Sequence, residues 1–167
     1  NMELLKMLGQ ADRELGRLDM YSEYIPNIEL FIRMHVTKEA TQSTRIEGTQ
    51  TNMEEAVLNR ANVPPSKKDD WEEVQNYISA MMQAEKKLSS IPFSSRLIKE
   101  AHQILLKGVR GKHKLPGEYR RSHNWIGGAS INDATFVPPV HSSIDDYMSD
   151  LEKFVHNDAH HFPELLK

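Results

Sequence analysis

Ser43-Thr44-Arg45-Ile46-Glu47-Gly48 ends a helical run that starts near Asn27, and the reading of this stretch decides the fold. Pro26 precedes the run, and Ile28, Phe31, Ile32, His35 and Val36 mark an apolar face at helical spacing. Gly48 suits the left-handed residue that stops a helix. Ser43 and Glu47 stand at i and i+4, so they share one face of that helix. A carboxylate at a helix C-terminus opposes the macrodipole by a few tenths to about 1 kcal/mol, which favours a cationic partner supplied from elsewhere. By spacing alone the same residues also read as an ordinary solvent-facing helix end.

Outward from this stretch the helical pattern continues. Leu4, Leu5, Met7, Leu8, Ala11, Leu15 and Leu18 recur at helical period, weakened by Gly9 and Gly16. Downstream, Thr51-Asn52-Met53-Glu54 has the form of a capping box and predicts a short helix through Leu58. Val63-Pro64-Pro65-Ser66 breaks it. Asp69 or Asp70 is expected to cap a long helix to about Leu88, with Trp71, Val74, Ile78, Met81 and Met82 facing inward. Ser94 or Ser95 caps the next, which carries Leu97, Ile98, Ala101, Ile104 and Leu105 and ends near Gly108. A last helix is expected from Ser142 or Ser143, with Ser142 and Asp145 as a box and Ile144, Tyr147, Met148, Leu151, Phe154 and Val155 as its stripe.

Between them, residues 109–141 carry glycines and prolines and no sustained helical period. Ala129 to Val137 reads as a small β-hairpin turning at Asn132-Asp133. Phe136-Val137-Pro138-Pro139 fixes an extended exit, because tandem prolines cannot continue a ladder. An exposed hairpin edge is a surface to which an extended peptide can add. The fold class is therefore all-α with one irregular hairpin segment.

Composition narrows the function classes. The chain has 167 residues, 24 acidic and 21 basic, for a net charge of -3. That balance argues against a nucleic-acid or anionic-membrane footprint. It contains no cysteine, which excludes disulfides, thiolate metal sites and cysteine catalysis, and permits a cytoplasmic location. No apolar run approaches the roughly 18 residues of a membrane span. His156 and His160 lie at i, i+4 near Asp158 and His161, but no third ligand at a zinc-motif spacing accompanies them, so they read as surface histidines and no metal site is assigned. His102 reads as a packing residue, and His123 and His141 flank the hairpin segment. There is no phosphate-binding glycine loop and no Gly-x-Ser-x-Gly elbow. The first residue is Asn, and Phe162-Pro163-Glu164-Leu165 reads as a helix just beginning. The expectation is a piece of a longer product.

Two blocks, taken together, resemble one family. Lys38-Glu39-Ala40 with Ser43-x-x-x-Glu47-Gly48 resembles the inhibitory motif of Fic-domain proteins, Ser/Thr-x-x-x-Glu-Gly/Asn. Pro116-Gly117-Glu118-Tyr119-Arg120, Trp125-Ile126-Gly127-Gly128 and Phe136-Val137-Pro138-Pro139 are similar to the segment leading into and through that family's flap hairpin. The resemblance runs from about Thr37 to Lys167. It implies a Fic-like helical domain with a β-hairpin flap, incomplete at the C-terminus. Residues 1–66 would form an N-terminal helical region containing the inhibitory helix, and 67–167 the first part of the core. The implied activity is transfer of AMP from ATP to a hydroxyl of a target protein, with ATP and Mg²⁺ as cofactors and self-modification as an accompanying reaction. Glu47 would pair with an arginine that otherwise grips the ATP γ-phosphate, Ser43 would support the helix beside the nucleotide, and Gly48 would permit the tight exit. Gly128, Ala129, Ser130, Ile131, Asn132, Asp133, Ala134, Thr135, Phe136 and Val137 would form the flap on which a target segment docks. The family's catalytic loop, His-Pro-Phe-x-Asp/Glu-Gly-Asn-Gly-Arg, does not occur in this sequence, so no catalytic residue is assigned and the chain alone is expected to be inactive. The alternative is a non-catalytic helical module that binds a peptide through its hairpin. Leu4 to Leu18 is apolar enough to pack on a partner chain, which leaves a homo-oligomer open.

Overall fold

A computed structural model describes residues 2–108, 110–111, 113–159 and 162–166. The described residues form six α-helices: α1 (Met2–Ser22), α2 (Ile28–Ile46), α3 (Met53–Ala56), α4 (Lys68–Leu88), α5 (Ser95–Leu105) and α6 (Ile144–His156). Short 3₁₀ turns lead into α4 at Pro65–Lys67 and into α6 at His141–Ser143. The fold is all-α, and none of its helices is long and apolar enough to cross a membrane.

Helix α4 is the centre, packed on α5 along one side and on α2 and α3 along the other. Ala40, Ala56, Val74 and Ile78 form the buried cluster, with Val36 and Tyr77 against it. The face that α2 buries is Thr37, Ala40, Thr41 and Thr44, spaced i, i+3, i+4, i+7. The more apolar Ile28, Phe31 and Ile32 remain exposed, contrary to the expectation from hydropathy. Small residues let the two backbones approach, and each threonine hydroxyl is satisfied locally. Thr37 Oγ1 donates to the Arg33 carbonyl and Thr44 Oγ1 to the Ala40 carbonyl, both at 2.8 Å. Burying a hydroxyl without such a partner costs about 1–3 kcal/mol, so this polar face depends on those bonds. On α4, Val74, Ile78 and Ala80 are buried, while Met81 and Met82 lie exposed at its C-terminal end. Helix α1 buries no residue.

The caps differ in register from those expected. The box that opens α3 is Asn52 with Glu55, one residue later than Thr51 with Glu54: Glu55 N–H donates to Asn52 Oδ1 at 2.8 Å, and Asn52 N–H to Glu55 Oε2 at 3.1 Å. Thr51 is instead drawn into the interior, with 1% of its surface exposed. Helix α4 starts without a side-chain cap; Asp69 and Asp70 occupy its first turn, where the macrodipole favours them. Ser94 caps α5 as expected. Ser143 precedes α6 without a capping bond.

Charged contacts tie the helices at their ends. Lys67 pairs with Glu55, Lys87 with Glu100, and Glu152 of α6 accepts from the Ser95 amide at the start of α5. Each of these carboxylates is held below its usual range, chiefly by the hydrogen bond from Lys67, Lys87 and Ser95 respectively. Their folded pKa is thus below the unfolded one, so the stability they contribute is present above the ordinary glutamate range and is lost as pH falls through the lowered values. The urea midpoint is expected to fall on acidification, and less steeply in Glu100→Gln. Parallel pH profiles for the two proteins would refute that assignment.

The flap segment is not a hairpin ladder. A single antiparallel bridge joins Ile126 and Phe136, and a 3₁₀ turn spans Ile131–Asp133. Ile126 N–H donates to the Phe136 carbonyl at 2.9 Å, and the Ile126 carbonyl accepts from both Thr135 and Phe136. The ladder stops there because Gly127 and Gly128 both have φ +74, outside the extended region. A Cβ on Gly128 would lie 2.3 Å from the Asp133 carbonyl oxygen. Gly128→Ala is therefore expected to break the bridge while hardly moving the urea midpoint, because residues 121–129 are exposed. Amide exchange at Phe136 checks this; unchanged protection would contradict it.

Candidate functional site

Helix α2 ends in a full left-handed cap. Thr49 N–H donates to the Thr44 carbonyl at 3.2 Å, and Gly48 N–H to the Arg45 carbonyl at 3.0 Å, with Gly48 at φ +99. The buried Thr49 hydroxyl also donates to Thr44 Oγ1 at 2.9 Å. This locks the turn immediately after Glu47, which is itself the C-cap residue. Ser43 Oγ donates to Glu39 Oε1 at 2.7 Å, one turn back along the helix, and not to Glu47.

Ser43 and Glu47 open onto a cleft of about 680 Å³. Thr44 shares that wall. Glu73 and Tyr77 of α4 form the floor, and Leu105, Leu106, Arg110, Gly111 and Lys114 close the far side. The size suits a ligand or an inserted side chain. Arg110 forms a two-pronged pair with Glu73, Nε to Oε1 at 2.7 Å and Nη2 to Oε2 at 2.9 Å, and reaches Asp70 Oδ1 at 2.9 Å. These carboxylates raise the Arg110 pKa, Glu73 foremost through its hydrogen bond. Asp70 Oδ2 accepts from the Gln50 amide at 2.7 Å, tying the segment after Gly48 to α4. The Glu47 carboxylate makes no hydrogen bond or ion pair with a described residue, whereas its backbone N–H donates to the Thr44 carbonyl at 3.0 Å.

The structure thus brings Ser43 and Glu47 to one cleft, and Gly48 forms the turn directly after Glu47 without lining that cleft. It adds Arg110 and Glu73, which the sequence did not single out, and Asp70, which read there only as a candidate helix cap. Their pairing spans 37 and 40 residues, and no local periodicity signals it.

The loop before the flap is fixed from α5. Gly117 N–H donates to His102 Nδ1 at 3.0 Å, so that nitrogen is an acceptor and His102 serves as a loop anchor. The Lys99 ammonium sits 4.3 Å above the Tyr119 ring. Arg120 binds the Ser122 and Pro139 carbonyls, closing the base of the flap segment. The expected flap residues Gly128 to Val137 are thereby held together, but apart from the cleft lining. His156 contacts the Phe93 carbonyl, whereas His160 and His161 lie outside the described residues. Among the described residues no three His, Asp or Glu gather as a metal site.

Fold and cleft together define an all-α domain whose second helix presents at its C-terminus a carboxylate without a partner among the described residues, on the same cleft as an arginine already held by two other carboxylates. Residues 5–86, which include that helix and its exit, match the family model described as Fic/DOC family N-terminal, and the chain carries the N-terminal region of the Fic/DOC family. No curated protein matches it.

Proposed function

We propose that this chain is the regulatory and target-docking part of a protein that transfers AMP from ATP to a hydroxyl side chain of a target protein, with Glu47 as its restraint. The observation that carries the reading is the Glu47 carboxylate, without a partner among the described residues, set at a capped turn and open to the cleft. A carboxylate so placed can take a guanidinium in two-pronged geometry. The arginine it would take is the one that grips the ATP γ-phosphate in the family's catalytic loop. Withholding that arginine misaligns the nucleotide for in-line attack, and misplacement by about 1 Å costs on the order of a hundredfold in rate.

The residues of this chain do not fit ATP or Mg²⁺ by themselves. The sequence has no phosphate-cradling loop, and the cleft sets Glu47 and Glu73 against Arg110 and Lys114. ATP and Mg²⁺ belong to the catalytic loop, and this chain's part is restraint and docking. The flap segment, pinned at its base by Arg120, would receive an extended stretch of the target, or of the protein itself, along the backbone around Ile126 and Phe136.

The test uses a protein carrying both this region and the catalytic loop. Label at the α-phosphate of ATP should transfer to protein, and label at the γ-phosphate should not. Transfer of γ-label would overturn the reading in favour of phosphoryl transfer.

A further inference from the structure

Among the described residues Glu47 shares its cleft with two cations, Arg110 and Lys114, and its carboxylate pairs with neither. Lys114 carries a hydrated point charge on a flexible stem and cannot occupy a carboxylate in two-pronged fashion. Arg110 can, and would block Glu47 if it turned toward it. It is engaged instead: both Glu73 oxygens accept from it, and Asp70 Oδ1 takes a third bond. Asp70 has a second task, since its other oxygen holds the Gln50 amide two residues beyond Gly48.

We propose that Asp70 and Glu73 are positioning residues that hold Arg110 away from Glu47, keeping that carboxylate available to an incoming guanidinium. The inference deepens, and rests on, the reading of Glu47 as a restraint. It gives the site a built-in competitor: a guanidinium of the chain's own lies on the same cleft and is kept out of the contest by two carboxylates on the first turns of α4. Neutralising them without changing their shape would release Arg110, which would then occupy Glu47 and weaken the restraint.

The arginine Nε–H resonance of Arg110, measured by NMR on the 167-residue chain, reports its partner. In the parent, Glu47→Gln should leave that resonance in place. In the Asp70→Asn, Glu73→Gln background, adding Glu47→Gln should shift it, because Arg110 has moved onto Glu47. Asp70→Asn keeps an oxygen for the Gln50 amide, so the segment after Gly48 stays anchored. If the double variant fails to fold, the same comparison is made with Glu73→Gln alone. A resonance that ignores Glu47 in the altered background overturns the proposal. In the protein with the catalytic loop, the double variant should label more strongly than the parent, and adding Arg110→Ala should return labelling to the parent level. Labelling that stays raised without Arg110 also overturns it, since the carboxylates would then act only on folding. If Glu47→Gly leaves labelling unchanged while the resonance shifts as described, the restraint reading falls and the holding pair stands.

Discussion

Glu47→Gly, in a protein that carries the catalytic loop, is expected to raise AMP transfer to target and to itself by about tenfold to a hundredfold. The magnitude follows from the contact at stake. Hydrogen bonds to charged groups contribute about 1.5–3 kcal/mol, and each 1.4 kcal/mol is about tenfold in rate. Glu47 is exposed at the cleft and its carboxylate has no partner among the described residues, so its removal should leave the domain folded. Glu47→Gln removes the charge while keeping the side-chain length, and should move activity in the same direction. Radiolabelled ATP reads both variants. Equal labelling in Glu47→Gly and the parent would sink the assignment of this residue as a restraint.

Ala40→Leu is expected to lower stability by about 3 kcal/mol, the upper part of the range for overpacking a filled core. Ala40 is fully buried, in one cluster with Ala56 and Val74, where α2 approaches α4. A leucine there must push the helices apart. Separation would also strain the cap that orients Glu47, since Thr44 lies on the same buried face. Urea denaturation should show a large fall in midpoint with an unchanged slope, and Gln42→Leu on the exposed face serves as the control. A midpoint within about 0.5 kcal/mol of the parent, the range for surface substitutions, would show that α2 and α4 are not closely packed at this point.

The contrast between these two positions shows where sequence reading holds and where it stops. The extent of α2 follows from Asn27 at its start, whose side chain accepts from the Leu30 amide, and from Gly48 at its end. Both are local effects of backbone and cap. Which face of α2 turns inward is not local. Hydropathy selects Ile28, Phe31 and Ile32, yet the partner helix reaches the other half of α2 and admits only small residues there. Likewise, Ala129 to Val137 reads as a hairpin turning at Asn132-Asp133, and two successive glycines at positive φ reduce it to one bridge.

By itself the sequence determined the all-α class, the helix order, and the pairing of Ser43, Glu47 and Gly48 on one helix end, because caps, turns and i, i+4 spacing act over a few residues. Tertiary structure alone decided that Glu47 faces a cleft, that threonines rather than isoleucines form the buried face of α2, and that Arg110 is claimed by Asp70 and Glu73. The reason is physical: a carboxylate's partner is set by distances between chain segments about forty residues apart, and no periodicity within one segment encodes them.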